Sequence, residues 1–316
     1  MKAERIPTLT IVIVNWNAGQ LLRDCISSIA NTERKGFVLS EVVVVDNAST
    51  DNSLHGIELT SVPVRVVRNL DNRGFAAACN QGVNDDAGDY LLFLNPDTRL
   101  FADSLARPIS FLEQAAQSSI GICGIRLVDE HGNCTTSAAR FPTLRVMTGR
   151  ILRLSKILPR LFPAHLLTAA DLQQTGPVDQ VIGAFFLIRK VTYFRCRGFD
   201  ERFFLYFEEV DLSLRAKQAG YSSYFFSDAS ACHRGGGSSD QIKATRLFFS
   251  LRSRILYARK HYPATAFFVL VFLTMLELPL RLAQSTLRLS WSDMVNSIRA
   301  YRYLAADFFG RTRGSD

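Results

Sequence analysis

Four apolar runs that each stop at a polar residue constrain the fold most. Thr10–Val14 ends at Asn15-Trp16-Asn17, and Glu41–Val45, with four consecutive valines, ends at Asp46. Val64–Val67 ends near Asn69, and Tyr90–Leu94 ends at Asn95-Pro96-Asp97. Nearly unbroken β-branched runs belong to strands buried on both faces, as in a parallel sheet. Leu21, Leu22, Cys25, Ile26 and Ile29 fall at helical spacing after the first run, and a helix is predicted over 74–83 after the third. This alternation predicts an α/β chain: a Rossmann-like, mostly parallel sheet with helices on both faces and right-handed crossovers. Such sheets bind ligands beyond the carboxyl ends of their strands, where Asn15, Asp46, Asn69 and Asp97 fall. Asn and Asp are also ordinary turn formers, so it is the four together that mark a candidate site.

Several classes are excluded. An apolar fraction of 47% over 316 residues is that of a folded chain. No GxGxxG follows the first strand and no GxxxxGK[ST] occurs, so neither the usual dinucleotide fold nor a P-loop nucleotidase is expected. The six cysteines, Cys25, Cys79, Cys123, Cys134, Cys196 and Cys232, form no CxxC pair and read as reduced structural thiols of a cytoplasmic protein. Met1–Pro7 is short and polar and Leu9–Val14 stops early, so no secretory signal is expected.

The second half predicts a strand over Ile120–Val128, a turn at His131-Gly132-Asn133 and a buried strand over Val181–Ile188. A helix carrying Glu208, Glu209, Asp211 and Arg215 follows, then a short strand over Tyr221–Phe226 with His233 just beyond it. A flexible loop is expected over 235–239. Asp97 offers a carboxylate for a hard cation that could hold phosphate oxygens. His233 reads either as a structural histidine or as a second ligand. Helical spacing puts Glu208, Asp211 and Arg215 on one face and turns Glu209 about 100° away. Acids at a helix start are favoured by the helix dipole, but the aromatic run Phe203–Phe207 before them suggests a low-dielectric wall, in which a carboxylate can act as a general base.

Charge is uneven. Beyond residue 240 there are twelve Lys and Arg against four Asp and Glu, so the whole net charge of +8 lies there. Residues 131–170 add Arg140, Arg145, Arg150, Arg153, Lys156 and Arg160 without an acid. Such patches attract phosphates of lipid, diphosphate or nucleic acid. A basic helix is predicted over about 240–261, broken by Pro263, and then an apolar segment, Ala264–Leu282, interrupted by Glu277 and Arg281. The segment is borderline for a span. Its composition favours a helix lying in or re-entering the membrane interface; the alternatives are a full span and a core helix of a soluble protein.

Taken together, the segments TIVIVNWN (10–17), VVVDNASTDNS (43–53), NLDNRGFAAACNQG (69–82), YLLFLNPDT (90–98), GAFFLIR (183–189), GFDERFFLYFEEVDLSLR (198–215) and HRGGGS (233–238) make the chain resemble the inverting glycosyltransferases of family 2, with the GT-A fold, and within them the rhamnosyltransferase-like enzymes of bacterial surface polysaccharides. The resemblance covers about residues 8–240. It implies a GT-A domain over 1–240, with a nucleotide-binding half (1–100) and an acceptor-binding half (101–240), followed by a membrane-associating helical tail (241–316). It implies nucleotide binding by Asn15, Asp46, Asn69, Gly74, Phe75, Asn80 and Asn95, and a Mg²⁺ or Mn²⁺ ion held by Asp97 and His233. Glu209 becomes the catalytic base, with Glu208, Asp211 and Arg215 as acceptor-site or structural groups. Asn95 stands where many relatives carry a first aspartate, and Glu209 where the family usually has Asp. The implied donor is a dTDP- or UDP-linked sugar and the implied acceptor a lipid-diphosphate-linked glycan or polysaccharide. The place implied is the cytoplasmic face of a membrane with an anionic surface, and no nucleic acid is expected.

Two other classes fit less well. A nucleotidyltransferase would need a basic, Gly-rich loop after the first strand, and Asn15–Gly19 is followed by no base until Arg23. A nucleic-acid-binding module would leave Glu208, Glu209 and Asp211 unexplained.

Overall fold

A computed structural model describes residues 5–57, 60–235, 243–308 and 310. From Gly236 to Ser239 the expected glycine loop lies outside the described residues, as do residues 1–4. The chain divides into two compact units. One lies within Met1–Phe141, Leu166–Arg202 and Glu208–Ser238, the other within Pro142–His165, Phe203–Phe207 and Ser239–Asp316.

In chain order the elements are β1 (Thr8–Asn15), α1 (Gln20–Ala30), β2 (Val38–Asp46), β3 (Val64–Arg68), α2 (Phe75–Gly82), β4 (Tyr90–Leu94), β5 (Thr98–Leu100), α3 (Ala106–Glu113), β6 (Ile120–Val128), β7 (Ala138–Ala139) and α4 (Leu144–Ile151). They continue with β8 (Gly176–Val178), β9 (Gln180–Val181), β10 (Phe185–Arg189), α5 (Lys190–Arg195), α6 (Glu208–Gln218), β11 (Ser222–His233), α7 (Lys243–His261), α8 (Ala264–Leu287) and α9 (Trp291–Phe308).

The first unit is a nine-stranded sheet in the order β3-β2-β1-β4-β10-β6-β11-β5, with β8 added on β11. β3, β2, β1 and β4 run parallel. β10 is antiparallel to both β4 and β6, and β11 is parallel to β6. The consecutive valines of β2 follow from this layering. Val42 and Val44 pack with Leu22, Cys25, Ile26 and Ile29 of α1 on one face. Val43 and Val45 pack with Ala76, Ala78 and Cys79 of α2 on the other. A side-chain period of two puts both sets in a core, so neither can be polar. Gly82 lets α2 approach β1, since a Cβ there would meet Val12 Cγ1 at 2.4 Å.

Two strands differ from their predicted extents. The strand expected over Val181–Ile188 is broken into β9 and β10, because Ile182 N donates to Ser137 O (3.0 Å) and Ala184 O accepts from Asn95 N (3.1 Å) instead of joining the ladder. β11 is not short. It passes through a register shift between Phe226 and Ser230 and continues to His233, pairing with β6 and β5. His233 therefore ends a strand instead of following one.

The second unit is helical. Val146, Met147 and Ile151 of α4 pack with Ala258 of α7 and Leu270 and Leu273 of α8. Leu251 of α7 packs with Tyr301 and Leu304 of α9. The Tyr301 hydroxyl donates to Thr274 O at 2.7 Å. The aromatic run belongs to this unit: Phe204 stacks on Phe249 at 4.4 Å, and Phe207 lies 5.6 Å from Tyr257.

Candidate active site

The carboxyl ends of β1 and β2 are locked to each other. Asn15 is fully buried, and its Nδ2 donates to Asp46 Oδ1 (2.7 Å), Ser53 Oγ (2.8 Å) and Ser49 Oγ (2.9 Å). Asn15 Oδ1 has no hydrogen-bond partner among the described residues. The loop after β2 also reaches back to the loop after β1. Asn17 Oδ1 accepts from Thr50 N (2.7 Å) and Asp51 Oδ2 from Gly19 N (2.9 Å). Ser49, Asp51 and Ser53 were not singled out from the sequence. Their signal is the polar run NASTDNS directly after the second strand.

Asn69 and Gly74 sit at the next strand end. Asn69 and Gln81 exchange amide hydrogen bonds at 2.9 and 3.0 Å, and Asn69 Nδ2 also donates to Asn47 Oδ1 (2.9 Å). Asn47 Nδ2 donates to Gly74 O (3.1 Å). Gly74 has φ 84° and turns the chain into α2, at whose first residue Phe75 is half-buried. Asn80 does not join this group. Its Oδ1 accepts from Tyr193 Oη (2.6 Å) and Phe199 N (2.9 Å), and its Nδ2 donates to Phe199 O (2.9 Å) and Glu201 (3.0 Å). That amide ties α2 to the segment leading into α6. Gly198 (φ +67°) permits the close approach, since a Cβ there would meet Asn80 Oδ1 at 2.8 Å.

The pairing of β5 with β11 sets His233 opposite Thr98. It thereby brings together two residues far apart in sequence: His233 Nε2 lies 3.3 Å from Asp97 Oδ1. The turn carrying Asp97 is held by Thr98 N donating to Asn95 O (3.1 Å) and by Arg234 N donating to Asp97 O (3.2 Å). No cluster of three or more His, Cys, Asp or Glu suited to a metal occurs among the described residues. One carboxylate oxygen and one imidazole nitrogen fit a cation that completes its shell with water or ligand oxygens, not a closed structural site. Arg234, exposed and directly after His233, went unnoticed in the sequence as a separate group.

The acid cluster opens α6. Asp211 is fully buried and pairs with Arg215 Nε at 2.7 Å. The same guanidinium donates to Gly198 O (2.9 Å) and Cys196 O, anchoring the α5–α6 connection. Glu208, on the same helical face, does not share the Arg215 guanidinium. It is 5% exposed, its Oε2 has no hydrogen-bond partner, and burial, then the charge of Glu209, raises its pKa well above the usual carboxylate range. Glu209 is half-buried, with a buried Oε2 that also lacks a hydrogen-bond partner. Burial raises its pKa, partly offset by the backbone N–H groups of Glu209 and Val210. Glu209 lies against Gly183, where an added Cβ would come 3.8 Å from its Cγ. Gly183 adjoins Ala184, whose carbonyl binds Asn95 N, so a short path of contacts joins Glu209 to the Asn95–Asp97 turn.

Residues 10–156 match the family model described as Glycosyl transferase family 2. Residues 10–156 thus carry a family 2 glycosyltransferase domain. The glycosyltransferase is 27% identical over 267 residues to an N-acetylglucosaminyl-diphospho-decaprenol L-rhamnosyltransferase of Mycobacterium tuberculosis (strain CDC 1551 / Oshkosh), covering 79% of this chain and 83% of that one. It is 28% identical over 176 residues to rhamnosyltransferase WbbL of Escherichia coli (strain K12), covering 54% and 62%. Among solved structures it is similar to a mannosyltransferase from Pyrobaculum calidifontis in complex with GDP-Man and Mn²⁺. That match has a TM-score of 0.58 at 16% identity and covers 96% of this chain and 88% of that one. The fold is GT-A, a mostly parallel sheet with helices on both faces.

Proposed function

We propose that this glycosyltransferase moves rhamnose, or another hexose, from a dTDP- or UDP-linked donor to a lipid-diphosphate-linked glycan, with inversion at the anomeric carbon. The carrying observation is the buried, hydrogen-bond-free oxygen of Glu209 at the start of α6, joined through Gly183 and Ala184 to the turn that bears Asp97, beside His233 at the end of β11. The mycobacterial relative, by its name, uses an N-acetylglucosaminyl-diphospho-decaprenol acceptor and L-rhamnose, which supports the acceptor and sugar classes.

Each group then has a role. The Asn15–Asp46 lock presents the Asp46 carboxylate as an acceptor, and uracil and thymine both offer an N3–H donor. Gly74, Phe75, Asn69 and Asn95 line the same strand ends, and Asn80 supports them by tying α2 to the segment before α6. Asp97 and His233 would hold a divalent cation, which would supply positive charge to the leaving diphosphate. The imidazole favours Mn²⁺ over Mg²⁺. Arg234, directly after His233 and exposed, would add a positive charge near the diphosphate. Glu209 takes the proton of the acceptor hydroxyl, that oxygen bonds to the anomeric carbon, and the bond to the diphosphate breaks with its electron pair. Asp211 and Arg215 keep α6 in position. A lipid-linked acceptor supports a place at a membrane, and we propose its cytoplasmic face.

The test is a screen of dTDP- and UDP-sugars with a polyprenyl-diphosphate N-acetylglucosamine acceptor, with and without Mn²⁺, reading product and anomeric configuration by NMR. Transfer with inversion is expected. Retention, or no transfer from any donor, sinks the reading.

A further inference from the structure

The two faces of α8 differ in kind. Leu270, Leu273, Thr274 and Glu277 are buried, the leucines against α4 and α7. On that inner side Glu277 accepts from Arg254 of α7 (2.7 Å) and from Arg281 (2.8 Å). The outer face is apolar and bare. Phe268 and Phe272 are 68% and 67% exposed, and Met275, Leu276 and Leu280 are exposed with them. Positions 268, 272, 275, 276 and 280 form a single helical stripe.

A second bare apolar group lies in the same unit: Ile157, Leu158 and Leu161 are exposed. They sit among Arg145, Arg150, Arg153, Lys156 and Arg160, and Pro142–His165 contains no acid. The Arg153 guanidinium contacts Gln284 of α8, which ties this basic segment to the striped helix. Around the Glu277 carboxylate the charge is also unbalanced. Arg150, Arg254 and Arg281 all act on this one acid, and Arg254 Nε is buried without a hydrogen-bond partner.

We infer that the helical unit docks on an anionic lipid bilayer with α8 lying in the plane of the interface, not crossing it. The stripe and the 157–161 wedge enter the acyl boundary, and the surrounding Arg and Lys meet lipid phosphates. This deepens the membrane placement proposed above and rests on it. By length and composition alone α8 could span: it has 24 residues, about 36 Å at helical rise. A spanning helix, however, presents every face to hydrocarbon or to other spanning helices. Here the inner face carries Glu277, whose partner Arg254 comes from α7, and crossing would strip that pair or drag α7 into lipid at a cost ionised groups do not bear. α9, with Asp293, Arg299, Arg302 and Asp307, is too charged to accompany it. An in-plane helix keeps the ion pair on protein and gives only the stripe to lipid.

The full chain is mixed with vesicles of phosphatidylcholine plus phosphatidylglycerol, and with phosphatidylcholine alone. Binding to the anionic vesicles is expected, and about tenfold weaker binding to the neutral ones. Phe268→Ser/Phe272→Ser should lower partitioning by about tenfold or more while leaving thermal unfolding unchanged, because both rings are exposed. Phe268→Trp and Leu280→Trp, read against brominated lipids and corrected for Trp16 and Trp291, should report the same shallow depth. A spanning helix would separate them by about 18 Å. Such a separation, an undiminished double-Ser variant, or indifference of the parent to anionic vesicles overturns the inference. Turnover on a water-soluble acceptor separates the two readings: its absence in the parent sinks the transfer proposal and leaves the docking result standing.

Discussion

Replacing Glu209 with Gln tests the chemistry most directly. The amide keeps the shape of the side chain and its place at the start of α6, but it cannot take a proton. General-base catalysis is worth about 10²–10⁴ in rate, so kcat should fall by that factor, about 3–5 kcal/mol of barrier. Donor affinity should barely change, because Asp46, Asp97 and His233 are untouched. The buried oxygen has no partner in the parent, so the new amide N–H would lack one too, at a stability cost of about 1–3 kcal/mol; thermal unfolding separates that loss from the rate. Glu209→Asp retreats by one methylene, and misplacement of about 1 Å costs about 10²-fold, which leaves measurable activity. Because burial raises the Glu209 pKa, the parent rate should climb with pH through a value above that of a free glutamate, and the limb should vanish in the Gln variant. Single-turnover rates and donor titrations decide it. Near-normal turnover by Glu209→Gln, beside a dead Glu208→Gln, would move the base to another residue.

Asp97→Asn should lose most turnover and bind Mn²⁺ weakly, by calorimetry, with the fold intact; full activity of the parent in excess EDTA rejects the metal reading. Arg234→Ala should raise KM for the donor several-fold with a smaller effect on kcat, and an unchanged donor KM removes it from the site. Asp211→Ala leaves the half-buried Arg215 guanidinium with its two carbonyl partners but without its carboxylate and should cost about 1.5–3 kcal/mol in denaturant unfolding; a loss under about 1 kcal/mol would contradict the pairing. Glu208 and Glu209 both titrate above their unfolded value of about 4.3, so the folded state holds more protons than the unfolded state just above that pH, and stability falls as pH rises through the window. Glu208→Gln should flatten that fall in unfolding midpoints from acid to neutral pH, and an unchanged slope would show that Glu208 does not contribute.

Reading β1, β2 and β4 from sequence worked because a strand buried on both faces has no polar position to spare, and the pattern survives without knowledge of neighbours; β3, a half-buried edge strand that carries Arg65, was legible only from its three valines. Four strand ends followed at once, and with them Asn15, Asp46, Asn69 and Asp97. The acid cluster was legible as a cluster, since charged residues beside an aromatic run are conspicuous in one dimension. What each acid does was not. Arg215 lies within helical reach of both Glu208 and Asp211, and only packing gave its guanidinium to Asp211 and to the carbonyls of Cys196 and Gly198, leaving Glu208 buried without a cation.

Long-range pairing decided the rest. β11 looked short because Ser227 and Asp228 resemble a turn, whereas pairing with β6 and β5 carries it on to His233 and sets that ring 3.3 Å from Asp97. Asn80 lies in a motif that suggests nucleotide contact, yet its amide is taken up by Tyr193, Phe199 and Glu201, more than a hundred residues away. The two-faced character of α8 was invisible because its charged Glu277 lies on the covered face and its bare face is apolar, the reverse of a helix facing water. It emerges only where α4 and α7 cover one face and leave the other bare. The sequence alone determined which segments must be buried strands, because burial on both faces is a local demand on residue type. Which polar groups meet at their ends depended on the tertiary structure, because hydrogen bonds and ion pairs between distant residues leave no periodic trace in the chain.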